Sequence, residues 1–247
     1  MLTSPIDLAD SSGQPRPSVT SPIQEEPHEC THPHYACPRR YLTVTGFVLA
    51  VFLVFHLGVN LLGFWPARFQ AAVNRIHGLG SALPVLETSV VLIPLLVHIP
   101  FGLRVLWRDQ LRFSVNKRRG SAVRQWLQQV SGLALLAFLA FHVMTLHHWF
   151  GGRFNPHDAF HSLSQTVWNL CGSWSAGASW NPLFALLYPL GLVAALYHSG
   201  NGVSTGADIL GLTPTPTLEQ RLWSICLVAM GLLLAAGLAA WYALAPL

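Results

Sequence analysis

Five stretches of the chain stay apolar long enough to cross a bilayer, and the polar residues gather between them. They run from about Tyr41 to Trp65, Leu83 to Trp107, Trp126 to Phe150, Pro182 to Val203 and Leu222 to Leu247. One crossing takes about 20 mostly apolar residues. Hydrocarbon offers no partner to backbone N–H and C=O groups, so each stretch is predicted to be an α-helix, span I to span V. The expected fold is therefore an all-α integral membrane protein, with five transmembrane helices in one bundle over residues 39–247. Residues 1–38 form a separate N-terminal segment on the cytoplasmic side. Its first part, to about Glu26, is rich in Pro and Ser without apolar periodicity and reads as disordered.

Inside these apolar runs the polar exceptions stand out. Span I carries FHLGVN with His56, span II VHIPFG with His98, span III FHVMTL with His142, and span IV LYHSGNG with His198; span V has no histidine. An ionisable group in a membrane helix is costly and is a functional candidate by default. For one such residue the ordinary alternative is a buried histidine satisfied by nearby carbonyls or hydroxyls. Four of them, one per span, call for a shared explanation.

Composition supports the membrane reading. Of 247 residues, 52% are hydrophobic and only 10% charged, against roughly 25% charged in soluble domains. The 14 Lys and Arg side chains set orientation. Arg16, Arg39 and Arg40 precede span I. Arg104, Arg108, Arg112, Lys117, Arg118, Arg119 and Arg124 crowd the end of span II and the loop after it, and Arg221 precedes span V. Only Arg68, Arg75 and Arg153 fall on the other side. The positive-inside rule then puts the N-terminus in the cytoplasm. The net charge of +4 comes from this topology-setting loop and is not read as nucleic-acid binding.

With orientation fixed, helical rise gives depth. His56 lies roughly 22 Å and His142 roughly 24 Å up from the inner surface, while His98 lies roughly 21 Å and His198 roughly 24 Å down from the outer one. The expectation is two pairs at two heights: His56 with His142 in the outer half, His98 with His198 in the inner half. Two imidazoles at one level on different helices can grip a planar cofactor from both faces, and haem iron is the metal best suited to that within an apolar bundle. Zinc would want four ligands together. Gly58, Gly102, Ser131, Gly132, Gly200 and Gly202 are small residues beside the histidines that would let a macrocycle approach, although they also serve bare helix packing.

Glu87 is the one acid within the spans, roughly 16 Å outward of His98. It is a candidate proton acceptor for a quinol at the outer level, or an acid facing a helix N-terminus and interfacial water. HECTHPHYAC before span I places His28, Cys30, His32, His34 and Cys37 close together. Cys30, His32, His34 and Cys37 could hold a metal or iron–sulfur centre, or form a packing surface for a partner. The connection Pro66 to Ala82 carries His77. The long connection Gly151 to Asn181, with His157 and His161, could fold as a cap over the outer end of the bundle.

Taken together, FHLGVN, LETSVVLIPLLVHIPFG, QVSGLALLAFLAFHV and YHSGNGVSTGADILGLTPTPTLEQR resemble the cytochrome b membrane-anchor subunit of succinate dehydrogenase and fumarate reductase, in its single-chain, five-helix, two-haem form. The resemblance spans about Arg39 to the C-terminus. It implies a bacterial cytoplasmic-membrane protein that anchors a flavoprotein subunit and an iron–sulfur subunit. It further implies two b haems as cofactors and a quinone, usually menaquinone, as electron partner. Carried over by position, His98 and His198 would be the axial ligands of the proximal haem iron, His56 and His142 those of the distal one. Three departures stand beside it, the first being Tyr41 and Leu42 after Arg39 and Arg40, where some relatives have a histidine. Relatives often have a basic residue before the small pair of span III, where this chain has Gln129, so a propionate contact is either missing or supplied by Arg124. The Cys and His cluster before span I is also foreign to the pattern. Two other readings fit the spans less well: the haem anchor of a hydrogenase or formate dehydrogenase, and a haem-free protein whose histidines line a proton path.

Overall fold

A computed structural model describes residues 38–109, 119–146, 154–169 and 182–243. The cluster of His28, Cys30, His32, His34 and Cys37 lies outside the described residues, as do His147, His148, Cys171 and most of the basic loop. Among the described residues every regular element is helical. They are α1 (Pro38–Leu61), α2 (Pro66–His77), α3 (Ala82–Glu87), α4 (Ile93–Asp109), α5 (Arg119–Leu146), α6 (Ala159–Asn169), α7 (Pro182–Ile209) and α8 (Pro216–Ala243).

Span I becomes α1, span III α5, span IV α7 and span V α8. Span II is continuous but not uniform: α3 passes into α4 through a π-helical turn, Thr88–Leu92. Pro94 explains the wide turn, because it has no N–H to give and its ring crowds the carbonyl four residues back. Several expected boundaries move: α7 runs past Val203 to Ile209, and two helices start early. α8 begins at Pro216 rather than Leu222, so Arg221 lies inside the helix and not before it. α5 begins at Arg119, about two turns before Trp126. Both shifts reflect polar helical turns that project beyond the apolar stretch, which hydrophobicity alone does not register.

Among the described residues, four helices are long and apolar enough to cross a membrane by composition: Arg39–Phe64, Ala82–Trp107, Ala122–Leu146 and Pro216–Ala243. The remaining long helix, α7, has 28 residues but a more polar second half, SGNGVSTGAD. Its position accounts for this. α7 packs against α1, α5 and α8, so much of its surface meets protein instead of lipid. Ala194, Ala195, Leu196, Asn201, Ser204 and Ala207 are all buried along it. Small residues permit the close approach: Gly191 sits under the Phe138 ring of α5, Gly200 under Met230 of α8, and Gly206 against Thr43 of α1. The chain leaves α7 through Gly211, whose φ of 72° suits glycine. There Leu212 N–H bonds Ala207 O at 2.9 Å and Gly211 N–H bonds Asp208 O at 2.9 Å, a Schellman closure. The outward faces are apolar, with Val51, Trp107, Leu186, Ile225 and Leu232 all exposed.

The connections predicted at the outer end contain helices of their own. α2 and α6 are amphipathic, and Phe69 and Val73 of α2 meet Ala159 and Leu163 of α6 in a buried cluster. Val59, Phe141, Leu146, Tyr188 and Trp241 pack against it from the bundle, so this is the cap. Gln70 ties it together. Its amide nitrogen donates to Pro156 O at 2.7 Å and to Asn74 Oδ1 at 2.8 Å, and its amide oxygen accepts Ala159 N–H at 2.7 Å. Gln70→Leu is expected to loosen α6 from α2 and cost about 2 kcal/mol, since half-buried backbone groups lose their partners. Limited proteolysis in detergent should then cut near residues 154–169 first; cutting at the wild-type rate would contradict this.

Candidate functional site

The structure brings the four span histidines together two by two. His98 of α4 and His198 of α7 have ring centroids 6.2 Å apart with planes at 83°. His56 of α1 and His142 of α5 are 6.0 Å apart at 88°. These are the pairs that depth alone suggested. The levels are distinct: Thr45, beside the first pair, and His56, in the second, are separated along α1 by roughly 16 Å of helix rise.

Each ring is held at its Nδ1 edge wherever a partner is seen. His198 Nδ1 lies 3.2 Å from Gln128 O. A carbonyl can only accept, so this nitrogen carries the proton and Nε2 keeps its lone pair. His98 Nδ1 lies 3.1 Å from Thr45 Oγ1. That hydroxyl has one proton, aimed back at Tyr41 O at 2.8 Å and Leu42 O at 3.2 Å, so it accepts from His98 Nδ1–H. The consequence is the same tautomer. His142 Nδ1 meets the Tyr188 hydroxyl at 3.3 Å, and Phe138 stacks on the ring at 5.6 Å. His56 rests on Phe52 at 5.7 Å. Two glycines make room for the first pair. A Cβ at Gly132 would come within 2.9 Å of His198 Cε1, and one at Gly46 within 3.1 Å of His98 Cε1.

The spacing tests what the pairs can hold. An imidazole nitrogen binds a first-row metal at about 2.0 Å and sits about 1.1 Å from its own ring centre, so two imidazoles on opposite sides of one ion have centroids about 6 Å apart. The observed 6.2 and 6.0 Å match. Among the described residues no group of three or more His, Cys, Asp or Glu side chains converges on a common point. Each pair thus offers two axial donors, which suits a macrocycle that brings its own four equatorial nitrogens. A holding role on the protein side is also present, since a ligating histidine is normally oriented through its other nitrogen.

Glu87 is not brought into either pair. It ends α3, exposed, immediately before the π-helical turn. Such turns recur at functional positions in membrane and soluble helices. Sequence reading did not single out Thr45, Gln128, Tyr188 or Asn201 as partners of the histidines or of one another. The available sign was Gln128 and Asn201, two amides facing inward from otherwise apolar helices.

These features define a class: a multi-pass helical membrane protein whose interior presents two facing histidine pairs at two heights. Comparison with known proteins makes the class specific. Residues 40–126 match the family described as the succinate dehydrogenase/fumarate reductase transmembrane subunit. The chain is also 25% identical over 212 residues to the succinate dehydrogenase cytochrome b558 subunit of Bacillus subtilis (strain 168), covering 83% of this chain and 95% of that one. Both findings are likenesses to the cytochrome b transmembrane subunits of succinate dehydrogenase and fumarate reductase, the first over residues 40–126 and the second over most of the chain.

The glycine contacts yield a test of the geometry. Gly132→Val is expected to push the His198 ring out of place and destabilise the protein by about 1–3 kcal/mol through overpacking. Gly231 of α8 has open space where its Cβ would go, so Gly231→Ala should leave stability unchanged or slightly raised. Thermal melting in detergent compares the two, and equal melting temperatures would contradict the contact.

Proposed function

We propose that this chain is the haem-bearing, quinone-reactive anchor of a succinate:quinone oxidoreductase, holding two b haems, one in each histidine pair. In this reading His98 and His198 are the axial ligands of the inner, proximal haem iron, and His56 and His142 those of the outer, distal one. The observation that carries it is the pair geometry: perpendicular imidazoles about 6 Å apart, with Nδ1–H of the inner two committed to protein acceptors. Bound there, the haems supply two one-electron couples, linking an iron–sulfur subunit on the cytoplasmic face to a membrane quinone, usually menaquinone in this form.

The chain's own residues do the rest. Thr45 and Gln128 fix tautomer and ring direction for the inner pair; Tyr188, Phe138 and Phe52 orient the rings of the outer. The apolar faces of α1, α4, α5 and α8 anchor the assembly in lipid, in the cytoplasmic membrane of a bacterium, with the N-terminus on the cytoplasmic side as the basic residues dictate. The flavoprotein and iron–sulfur subunits dock on that basic face. Glu87, exposed beside the π-helical turn near the outer end, takes the protons that a quinol releases.

Two experiments test this. His56→Ala and His198→Ala should each reduce haem content from two to one per chain, with different components missing from the reduced optical spectrum. Loss of the same component in both variants, or of neither, would show the pairing to be wrong. Glu87→Gln should keep both haems and slow quinone turnover by on the order of a hundredfold or more; wild-type turnover would remove Glu87 from the proton path.

A further inference from the structure

His198 is the end of a hydrogen-bonded chain that begins at the edge of the bundle. Arg124 Nη1 faces Glu219 Oε1 at 3.8 Å, and the guanidinium stacks on the Trp223 ring at 4.1 Å. Arg124 Nε donates to Asn201 Oδ1 at 3.2 Å. Asn201 Nδ2 donates to Gln128 Oε1 at 2.9 Å, and Gln128 Nε2 donates to His198 O at 3.1 Å. The backbone carbonyl of Gln128 then accepts His198 Nδ1–H. Gln128 therefore grips the histidine from two sides while its amide is itself oriented by Asn201, which is 3% exposed. The first three donors point the same way, from the cation toward the His198 backbone, and the last bond returns from His198 Nδ1–H to Gln128.

Partnering the buried Asn201 amide accounts for the middle of this chain, but not for the ion pair at its edge. The Arg124–Glu219 contact is long and its side chains are 29% and 46% exposed, a setting in which an ion pair contributes little. What the chain does provide is a route by which a charge at the bundle's edge acts on one histidine pair. The outer pair is set differently, by a phenol and aromatic rings.

Building on the di-haem reading above, we propose that Arg124, Asn201 and Gln128 are positioning residues that tune the redox poise of the inner site, with Glu219 as the counter-charge. A cation held near the site disfavours the oxidised form, which bears one more positive charge, and the low-dielectric interior strengthens the effect. Removing that cation should lower the midpoint potential; removing the carboxylate that offsets it should raise it. Asn201→Leu, which removes the amide that holds the guanidinium and orients Gln128, should weaken the response of the potential to Glu219→Gln.

The test is a redox titration of the full-length chain in its assembled, membrane-extracted complex, followed optically. The inner component is identified as the one that His198→Ala abolishes. Arg124→Gln is expected to shift it downward and Glu219→Gln upward, each by up to about a tenfold change in its reduction equilibrium, or about 59 mV for a one-electron couple. The outer component should move much less. Shifts of the same sign, no shift in either variant, or an equal shift in the outer component would overturn the proposal and leave the di-haem reading intact. A wild-type chain with fewer than two components would overturn both. Should Asn201→Leu fail to assemble, the two edge variants still decide the matter.

Discussion

A histidine in an apolar bundle must satisfy two ring nitrogens, and the rest of this structure follows from how that demand is divided. An unmet polar group away from water costs on the order of 1–3 kcal/mol, so both nitrogens matter. In the inner pair the protein itself meets the Nδ1 side, with Thr45 for His98 and the Gln128 carbonyl for His198. Once both Nδ1 atoms are donors, both Nε2 atoms are lone pairs, and lone pairs cannot satisfy each other. They can share an electrophile placed between them. A centroid spacing of about 6 Å is the distance at which a single metal ion would serve both.

Holding rings at that spacing constrains the helices that bear them. His198 rides on α7, the helix pressed against α1, α5 and α8. Its small residues bring the backbones close enough for Gln128 of α5 to reach the carbonyl and the ring of one residue on α7. The tightness at Gly132 is part of the same device, because a larger residue would occupy the volume the imidazole needs. Packing and ligand geometry are thus one requirement. Low hydropathy in the second half of α7 is its by-product: a helix face turned to protein can carry Asn201 and Ser204 where a lipid-facing one could not.

This explains what was legible in the sequence. One histidine per span, together with alternating helix direction, fixes two heights, and the heights fix the pairs; no tertiary knowledge was required. Helical existence was equally plain, because lipid forces it. The missed features depend on contacts between distant positions. Arg124 and Asn201 are 77 residues apart, and Gln70 and Ala159 are 89 apart; nothing local marks them as partners. α2 and α6 hide for a related reason: as interfacial helices they carry mixed polarity that reads as connection until they are seen to pack on one another. The π-helical turn ahead of Pro94 could be anticipated as a disturbance but not as that particular geometry.

The two pairs also differ in what surrounds them, and the difference bears on direction. On the di-haem reading proposed above, a chain carrying electrons across a membrane needs its two sites set apart in potential, or at least set independently, and identical bis-imidazole ligation would give no such distinction. The surroundings are the remaining variable. At the level of Thr45 and Gln128 the protein supplies amides and a nearby cation; at the level of His56 and His142 it supplies a phenol and aromatic faces. Hydrogen bonds and charge act on the inner pair, while stacking and steric confinement act on the outer. With the ligand atoms alike, the asymmetry needed for a directed path can therefore reside in residues that never touch the metal.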